Sequence, residues 1–200
     1  MYLWRQLTDA QRKEVLAFRI QQHRPWHSPP TLFNQGQFHL SAACYEHAAH
    51  IGRAPDRMAD FCRRLLQTME DQHVQVFAWC VLPNHYHLLA ATENLRALKK
   101  AVGRLHGRTS REWNLAEEAA GRTVWHNCSD RAMRNKRHFW ATINYIHNNP
   151  VHHRYVARWD EWPYSSAIEY LAVMGREQAK TIWQEYPVLD FGKGWDDPDL

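Results

Sequence analysis

Residues 74–91 have the sequence VQVFAWCVLPNHYHLLAA, and this stretch decides the fold. Val74–Leu82 is short, apolar and rich in β-branched and aromatic residues, which predicts a buried strand. Pro83 and Asn84 predict a tight turn, because proline pre-sets one turn position and asparagine tolerates the next. His85–Ala91 then returns as the partner strand. The stretch therefore predicts a β-hairpin at the centre of a sheet.

The segments before the hairpin predict one strand and one helix. Phe38–Tyr45 is apolar and short enough for a first strand. Pro55–Gln72 repeats apolar residues with helical spacing, at Met58, Phe61, Leu65, Leu66 and Met69.

The segments after the hairpin predict a second helix, a strand and a third helix. Thr92 is the expected N-cap of a helix whose apolar face comprises Leu95, Leu98, Val102 and Leu105. Thr123–Met133 is the next expected strand. A helix follows from Lys136 to Asn148, with Pro150 expected to stop it.

The resulting order, βαββαβα, predicts an α+β fold: an antiparallel sheet with helices packed on one side, in the ferredoxin-like split βαβ arrangement. We expect an N-terminal extension over residues 1–36 that contains a short helix near Asp9–Gln22. A single domain covers residues 37–171, and an acidic C-terminal extension covers 172–200.

The charge is unevenly distributed along the chain. The sequence has 25 Lys and Arg against 21 Asp and Glu, but basic residues dominate between Arg96 and Arg137 and acidic residues dominate after Val156. This split predicts a polyanion-binding face with an acidic tail.

The composition also indicates a compartment. The four cysteines, Cys44, Cys62, Cys80 and Cys128, form no CxxC pair, and the first residues do not resemble a secretion signal. The longest apolar run, Val76–Leu82, is far shorter than the roughly 20 residues of a membrane span. We expect a cytoplasmic protein with reduced thiols and no membrane segment.

His85 and His87 are candidate metal ligands, because side chains two apart on a strand share a face. The pattern is weak alone: with 14 histidines in 200 residues, one such pair arises by chance about as often as not. Two strand histidines with ordinary hydrogen bonds remain the alternative.

Tyr145 lies in a helix whose apolar stripe is Phe139, Ile143 and Ile146. At about 100° per residue, Tyr145 falls well over 90° from the centre of that stripe, on the side of His138 and Asn149. Tyr145 is therefore not an obvious core residue. A surface tyrosine with an ordinary hydrogen bond is the alternative to a functional one.

Four blocks in this order resemble the single-tyrosine HUH transposases, specifically the REP-associated tyrosine transposases. The blocks are Leu82-Pro-Asn-His-Tyr-His87, Asp130-Arg131, Tyr145-Ile-His-Asn-Asn-Pro-Val151 and Trp162-Pro-Tyr-Ser-Ser-Ala167. The likeness covers about residues 37–170. The chain departs from the family at Asn148, where leucine is common, and at His152–Val156, where the family's tail is basic and contains glycine.

The resemblance implies a site and a reaction. His85, His87 and Asn149 would bind a divalent metal, Mg²⁺ or Mn²⁺, although imidazoles also accept Zn²⁺, Ni²⁺ or Co²⁺. Tyr145 would be the nucleophile that cuts single-stranded or hairpin DNA and keeps the 5′-phosphate. A tyrosine hydroxyl with a pKa near 10 needs a nearby cation to become an effective nucleophile.

The basic region supplies candidate DNA contacts, since phosphate contacts position a nucleic acid. They are Lys99, Lys100, Arg104, Arg108, Arg131, Arg134, Lys136 and Arg137. Trp125 and Trp140 are candidate stacking platforms near the expected site. A solvated helix face and core packing are the respective alternatives, and both a monomer and a homodimer are open.

Two other functions are compatible with these residues. One is a catalytically silent DNA-binding regulator on the same fold, which the intact Tyr145 and histidine pair disfavour. The other is an unrelated zinc hydrolase, for which no third ligand and general-base carboxylate occur at a recognised spacing.

Overall fold

The structure is a computed structural model that describes residues 34–188 together with Thr8, Ala10, Gln11, Glu14 and Ala17. The chain divides into two compact units, residues 1–31 and 32–200. In the first unit, Thr8 and Gln11 form a reciprocal capping pair: the Gln11 amide donates to Thr8 Oγ1, and the Thr8 amide donates to Gln11 Oε1. Most of the predicted Asp9–Gln22 helix lies outside the described residues. The acidic end after residue 188 lies wholly outside them.

The second unit is built on a four-stranded antiparallel sheet. Its strands are β1 (Gly36–Ala43), β2 (Gln75–Val81), β3 (His85–Thr92) and β4 (Ser129–Ala132), in the spatial order β2-β3-β1-β4. The predicted hairpin is confirmed as β2 and β3. The order is that of the split βαβ arrangement, so the predicted fold class is confirmed.

Five helices accompany the sheet in the described residues: α1 (Pro55–Asp71), α2 (Leu95–Ala116), α3 (Lys136–His152), α4 (Ala167–Met174) and α5 (Arg176–Glu185). The helices α1 and α2 cover one face, where Phe61 and Leu98 join the strand residues Leu40 and Leu88 in one apolar core. None of these helices is long and apolar enough to cross a bilayer.

The helix α3 covers the opposite face of the sheet, where Ile143 and Ile146 pack with Cys80 and Leu89. The expectation that all helices lie on one side was therefore wrong. The physical reason is in β2 and β3, whose apolar residues occupy both faces and require cover on both. The third helix closes the second face and brings residue 145 to it.

Several predicted limits differ from the structure by one or two residues, and three further differences concern a helix cap, the length of a strand and a proline. Asn94, not Thr92, caps α2 by accepting a hydrogen bond from the Ala97 amide at 3.0 Å. The strand predicted for Thr123–Met133 is limited to β4, and Trp125 makes only an isolated bridge to Cys44. Pro150 lies inside α3, which continues to His152. Only one intrahelical donor is lost there, and Asn149 still accepts from the His153 amide.

The lowered pKa values of two buried histidines predict that acid lowers the free energy of unfolding. Burial lowers the pKa of His106 to about 4 and that of His147 to about 3. Both values lie below the unfolded value of about 6.5, so the unfolded chain binds more protons between these limits. Stability is therefore full above about pH 6.5 and falls below it, by about 1.4 kcal/mol per pH unit for each histidine. Denaturant titrations at pH 6.5, 5.5 and 4.5 measure this slope, and His147→Gln should reduce it. An equal slope in that variant would contradict the assignment.

Candidate active site

The β2–β3 turn places His85 and His87 on the face of the sheet that α3 covers. Cys80 and Ser41 are the cross-strand partners of His87, on β2 and β1, so directly paired side chains share its face. The two imidazole rings lie 5.0 Å apart between centroids, and each residue is 3% exposed. The structure thus brings the predicted pair together, in a buried position.

His85 lies between two asparagines. Its Nδ1 is 2.7 Å from Asn84 Oδ1, and its Nε2 is 3.1 Å from Asn149 Oδ1. A neutral imidazole carries one N–H, and the shorter contact assigns it to Nδ1. The lone pair of His85 Nε2 then faces the Asn149 oxygen, an arrangement that a shared cation would stabilise.

His87 lies between His39 and Tyr145. His87 Nδ1 is 3.1 Å from His39 Nε2, and His87 Nε2 is 3.5 Å from the Tyr145 hydroxyl. The rings of His87 and Tyr145 meet edge to face at 5.1 Å. The predicted nucleophile and the predicted histidine pair are therefore neighbours.

Tyr145 is only 5% exposed and therefore belongs to the core, although the helix periodicity did not place it there. The ring of Tyr145 packs against His87 and His39 on the sheet. The side of α3 that faces the sheet is therefore wider than the apolar stripe, which includes only the apolar residues and cannot reveal a buried polar one. The shared side of Tyr145 and Asn149, however, agrees with the predicted helix geometry.

Arg131 is a basic residue on the same face. Its cross-strand partner is His39. Burial and the charge of Arg134 lower the pKa of Arg131, whereas Tyr145 raises it, because a negative phenolate favours the charged guanidinium. A positive charge therefore lies within electrostatic reach of the Tyr145 oxygen.

The remaining basic candidates lie elsewhere. Lys100, Arg104 and Arg108 are exposed on α2, on the far side of the sheet from Tyr145, and Lys99 forms an ion pair with Asp130. Arg134, Lys136 and Arg137 are exposed around the start of α3. The two basic groups thus lie on opposite faces of the sheet.

The two candidate tryptophans pack on opposite faces of the sheet. Trp125 stacks on His106 at 4.3 Å within the core beneath α2, and its Nε1 donates to Thr109. Trp140 stacks on Tyr186 at 6.5 Å. The expectation that Trp125 is near the site was wrong, whereas Trp140 packs against the apolar cluster that contains Tyr145.

Two residues at the site were missed in the sequence. Asn84 was assigned only to the turn, and His39 was only part of an apolar strand. Their signal is weak but real: Asn84 precedes the histidine pair, and His39 is a polar residue between the core residues Phe38 and Leu40. His153 also contacts His85, ring to ring, at 5.0 Å.

The donor set fits a divalent cation. His85 Nε2 faces Asn149 Oδ1, and the His87 ring lies beside that of His85. Asn149 Nδ2 is buried without a hydrogen-bond partner among the described residues, as expected when the amide is held by its oxygen. Adjacent ligands of one octahedral ion lie about 3 Å apart, which agrees with 3.1 Å between His85 Nε2 and Asn149 Oδ1. In the part of the chain that the structure describes, no group of three or more His, Cys, Asp or Glu is placed to hold a metal.

A cavity of about 410 Å³ opens at the start of α3, lined by Gln37, Met133, Arg134, Asn135, Lys136 and Phe139. A cavity of about 440 Å³ lies at the other end, against α5, and contains none of His85, His87 or Tyr145. The first has the basic lining expected of a path for a nucleic acid.

Comparison with known proteins identifies the family. The family model described as IS200-like transposase matches residues 34–149, more than half of the chain. The chain belongs to the IS200-like transposase family. This finding confirms the resemblance to the tyrosine transposases.

Individual relatives of this IS200-like transposase support the assignment. A Haemophilus influenzae protein with the provisional name REP-associated tyrosine transposase is 29% identical over 121 residues, which cover 56% of this chain and 69% of that protein. A solved REP-associated tyrosine transposase, bound to a REP hairpin, superposes with a TM-score of 0.57 at 16% identity, covering 74% of this chain and 86% of that one. This second likeness confirms the fold.

Proposed function

We propose that this transposase nicks and rejoins single-stranded DNA through a phosphotyrosyl intermediate on Tyr145. The observation that carries the proposal is the 3.5 Å approach of the Tyr145 hydroxyl to His87 Nε2, beside the convergence of His85 and Asn149. Packing alone would not require a buried tyrosine hydroxyl to lie beside imidazole rings and an amide.

The reaction is an exchange of phosphate esters. The Tyr145 oxygen gives up its proton to solvent and attacks the scissile phosphorus. The bond from phosphorus to the 3′-oxygen breaks, and the 3′-oxygen takes a proton from solvent and leaves as a hydroxyl, so the number of protons is unchanged. The 5′-phosphate stays on Tyr145. A 3′-hydroxyl of another strand reverses the step without ATP, since the phosphodiester bond energy is retained in the intermediate.

His85, His87 and Asn149 would hold the divalent cation, Mg²⁺ or Mn²⁺, which would supply positive charge at the scissile phosphate. The protein provides the rest of the site. Asn84 orients His85 through Nδ1, α3 carries Tyr145 and Asn149 on one side, and the buried surroundings strengthen every charge interaction at the site.

Arg131 stabilises negative charge on the Tyr145 oxygen in this mechanism. We expect Arg131→Gln to lower the single-turnover cleavage rate about 10- to 100-fold, within the range of losses for one positioned charge donor. Mn²⁺ affinity should stay unchanged, because Arg131 is not among the proposed ligands. Arg63→Gln is the control, because Arg63 is an exposed arginine on α1, paired with Asp60, and is not a candidate DNA contact. Equal rates for the two variants would contradict the role of Arg131.

The exposed face of α2 would bind the DNA backbone. Arg96, Lys100, Arg104 and Arg108 follow one another at intervals of four residues, which aligns them on one helix face. Gly103 and Gly107 lie beside them, and an added Cβ at either would meet no atom within 4 Å. Core packing therefore does not require these glycines. The absence of a side chain at these two positions would let the DNA backbone approach the helix closely.

The edge strand β4 connects this face to Tyr145. Lys99 reaches β4 at Asp130, Arg131 projects on the other face, and Arg134 and Lys136 line the 410 Å³ cavity. We infer that a stem lies along α2 and that its unpaired flank passes round β4 to Tyr145. Hairpin DNA is the proposed substrate because the structural neighbour is bound to a hairpin.

The salt dependence of DNA binding tests the α2 contact. We expect the triple variant Lys100→Gln, Arg104→Gln and Arg108→Gln to weaken hairpin binding and to reduce the slope of log K against log salt by about 2 to 3. Arg63→Gln, on α1, is the control, since Arg63 is exposed and paired with Asp60. Isotherms at several salt concentrations give the slopes, and an unchanged slope in the triple variant would exclude α2 from the interface.

One incubation distinguishes the proposed function from its alternatives. Labelled single-stranded hairpin oligonucleotides with Mn²⁺ should yield a covalent protein–DNA adduct and a free 3′-hydroxyl. A silent regulator would bind without an adduct, and a zinc hydrolase would do neither. We place the activity in the cytoplasm, which agrees with free thiols at Cys44, Cys62, Cys80 and Cys128.

A further inference from the structure

His39 is a buried polar residue at the centre of the sheet. It lies on β1, where its cross-strand partners are Leu89 on β3 and Arg131 on β4, and it is 5% exposed. Its neighbours Phe38 and Leu40 point into the α1–α2 core. Because successive side chains of a strand point to opposite faces of the sheet, His39 lies on the face of His87 and Tyr145.

The contacts of His39 are specific. Its Nε2 lies 3.1 Å from His87 Nδ1, and the two ring centroids are 5.1 Å apart at an interplanar angle of 35°. Its ring also meets Tyr145 edge to face, at 6.0 Å and 77°. His39 thus touches one proposed metal ligand and the proposed nucleophile.

The hydrogen bond between the two histidines constrains both tautomers. One of the two facing nitrogens must carry the proton and the other must accept it. His87 Nε2 faces Tyr145 and is the nitrogen that would bind the proposed cation. It must therefore carry no proton. The proton of His87 then lies on Nδ1, and His39 Nε2 is the acceptor.

We propose that His39 is a positioning residue that holds the proton of His87 on Nδ1 and fixes its ring, so that Nε2 presents a lone pair beside Tyr145. This inference rests on the proposed function, because the lone pair serves the cation. Outer partners of metal-binding histidines act in this way, and their loss costs about 10- to 100-fold in metal affinity.

A purely structural role predicts something else. If His39 only filled space in the sheet, an apolar residue of similar volume would preserve the site. If the acceptor nitrogen is what matters, glutamine should replace it, because its amide oxygen reaches a similar distance along the side chain. The pair His39→Leu and His39→Gln separates these roles.

The first measurement is calorimetry with Mn²⁺ on the full chain without DNA. We expect His39→Leu to weaken Mn²⁺ binding about 10- to 100-fold and His39→Gln to restore it to within about 3-fold of wild type. Ser41→Ala, on the same strand, is the control and should bind as wild type does. Unchanged affinity in a folded His39→Leu variant, or equal losses in both His39 variants, would overturn the proposal.

The second measurement is the tautomer of His87 in the metal-free wild-type protein, from ¹⁵N spectra of the imidazole nitrogens. We expect the proton on Nδ1, and a proton on Nε2 would overturn the proposal even if a His39 variant fails to fold. The two measurements also separate this inference from the proposed function. Absence of Mn²⁺ binding by the wild type would count against the function, whereas the tautomer tests His39 alone.

Discussion

Tyr145→Phe is expected to abolish the covalent protein–DNA adduct and to lower nicking by at least about 10³-fold, because it removes the nucleophilic oxygen. The ring stays, so its edge-to-face contacts with His87 and His39 are preserved. The variant should therefore fold, bind Mn²⁺ and bind hairpin DNA as the wild type does. Mass spectrometry of the digested wild-type adduct should locate the 5′-phosphate on Tyr145.

Tyr155→Phe is the matched control for this experiment. Tyr155 is 43% exposed and stacks on Trp162 at 5.4 Å, so it is a partly exposed tyrosine that packs against Trp162 and is not a proposed part of the site. Its variant should form the adduct at the wild-type rate. Undiminished nicking by Tyr145→Phe, or an adduct on another tyrosine, would refute the nucleophile and favour an activated water.

The sequence predicted the parts of the fold whose signals are local. The hairpin followed from an apolar run, a Pro-Asn turn and a second apolar run, and each of these signals lies within 18 residues. The side shared by Tyr145 and Asn149 followed from helix periodicity alone. Such features need no knowledge of the rest of the chain.

The features that escaped prediction depend on distant contacts. Tyr145 is buried because α3 lies against the sheet, where its ring meets His87 and His39 from distant parts of the sequence, and no periodicity reports these contacts. Pro150 was expected to stop α3, but the lost donor falls in the last turn, where it costs little. His39 gains its role only when β1 pairs beside β3, so its contact with His87 spans 48 positions.

The metal site gives the second large effect. We expect His85→Ala and His87→Ala each to weaken Mn²⁺ binding at least about 100-fold, because each removes one of three proposed ligands, and losses here should exceed those from outer partners. Cleavage should become undetectable. Burial of both rings, at 3% exposure, means that each variant should also lose about 1 to 3 kcal/mol of stability from unpaired neighbours.

A control must therefore separate ligand loss from destabilisation. His106 serves this purpose, because it is similarly buried but lies on the opposite face of the sheet, stacked on Trp125 and bonded to the Tyr86 hydroxyl. His106→Gln should lower the melting temperature and keep wild-type Mn²⁺ affinity. The His85 and His87 variants should have both a lower melting temperature and a weaker Mn²⁺ affinity. Calorimetry and melting curves on the same samples provide the comparison. Wild-type Mn²⁺ affinity in both alanine variants would show that the cation binds elsewhere.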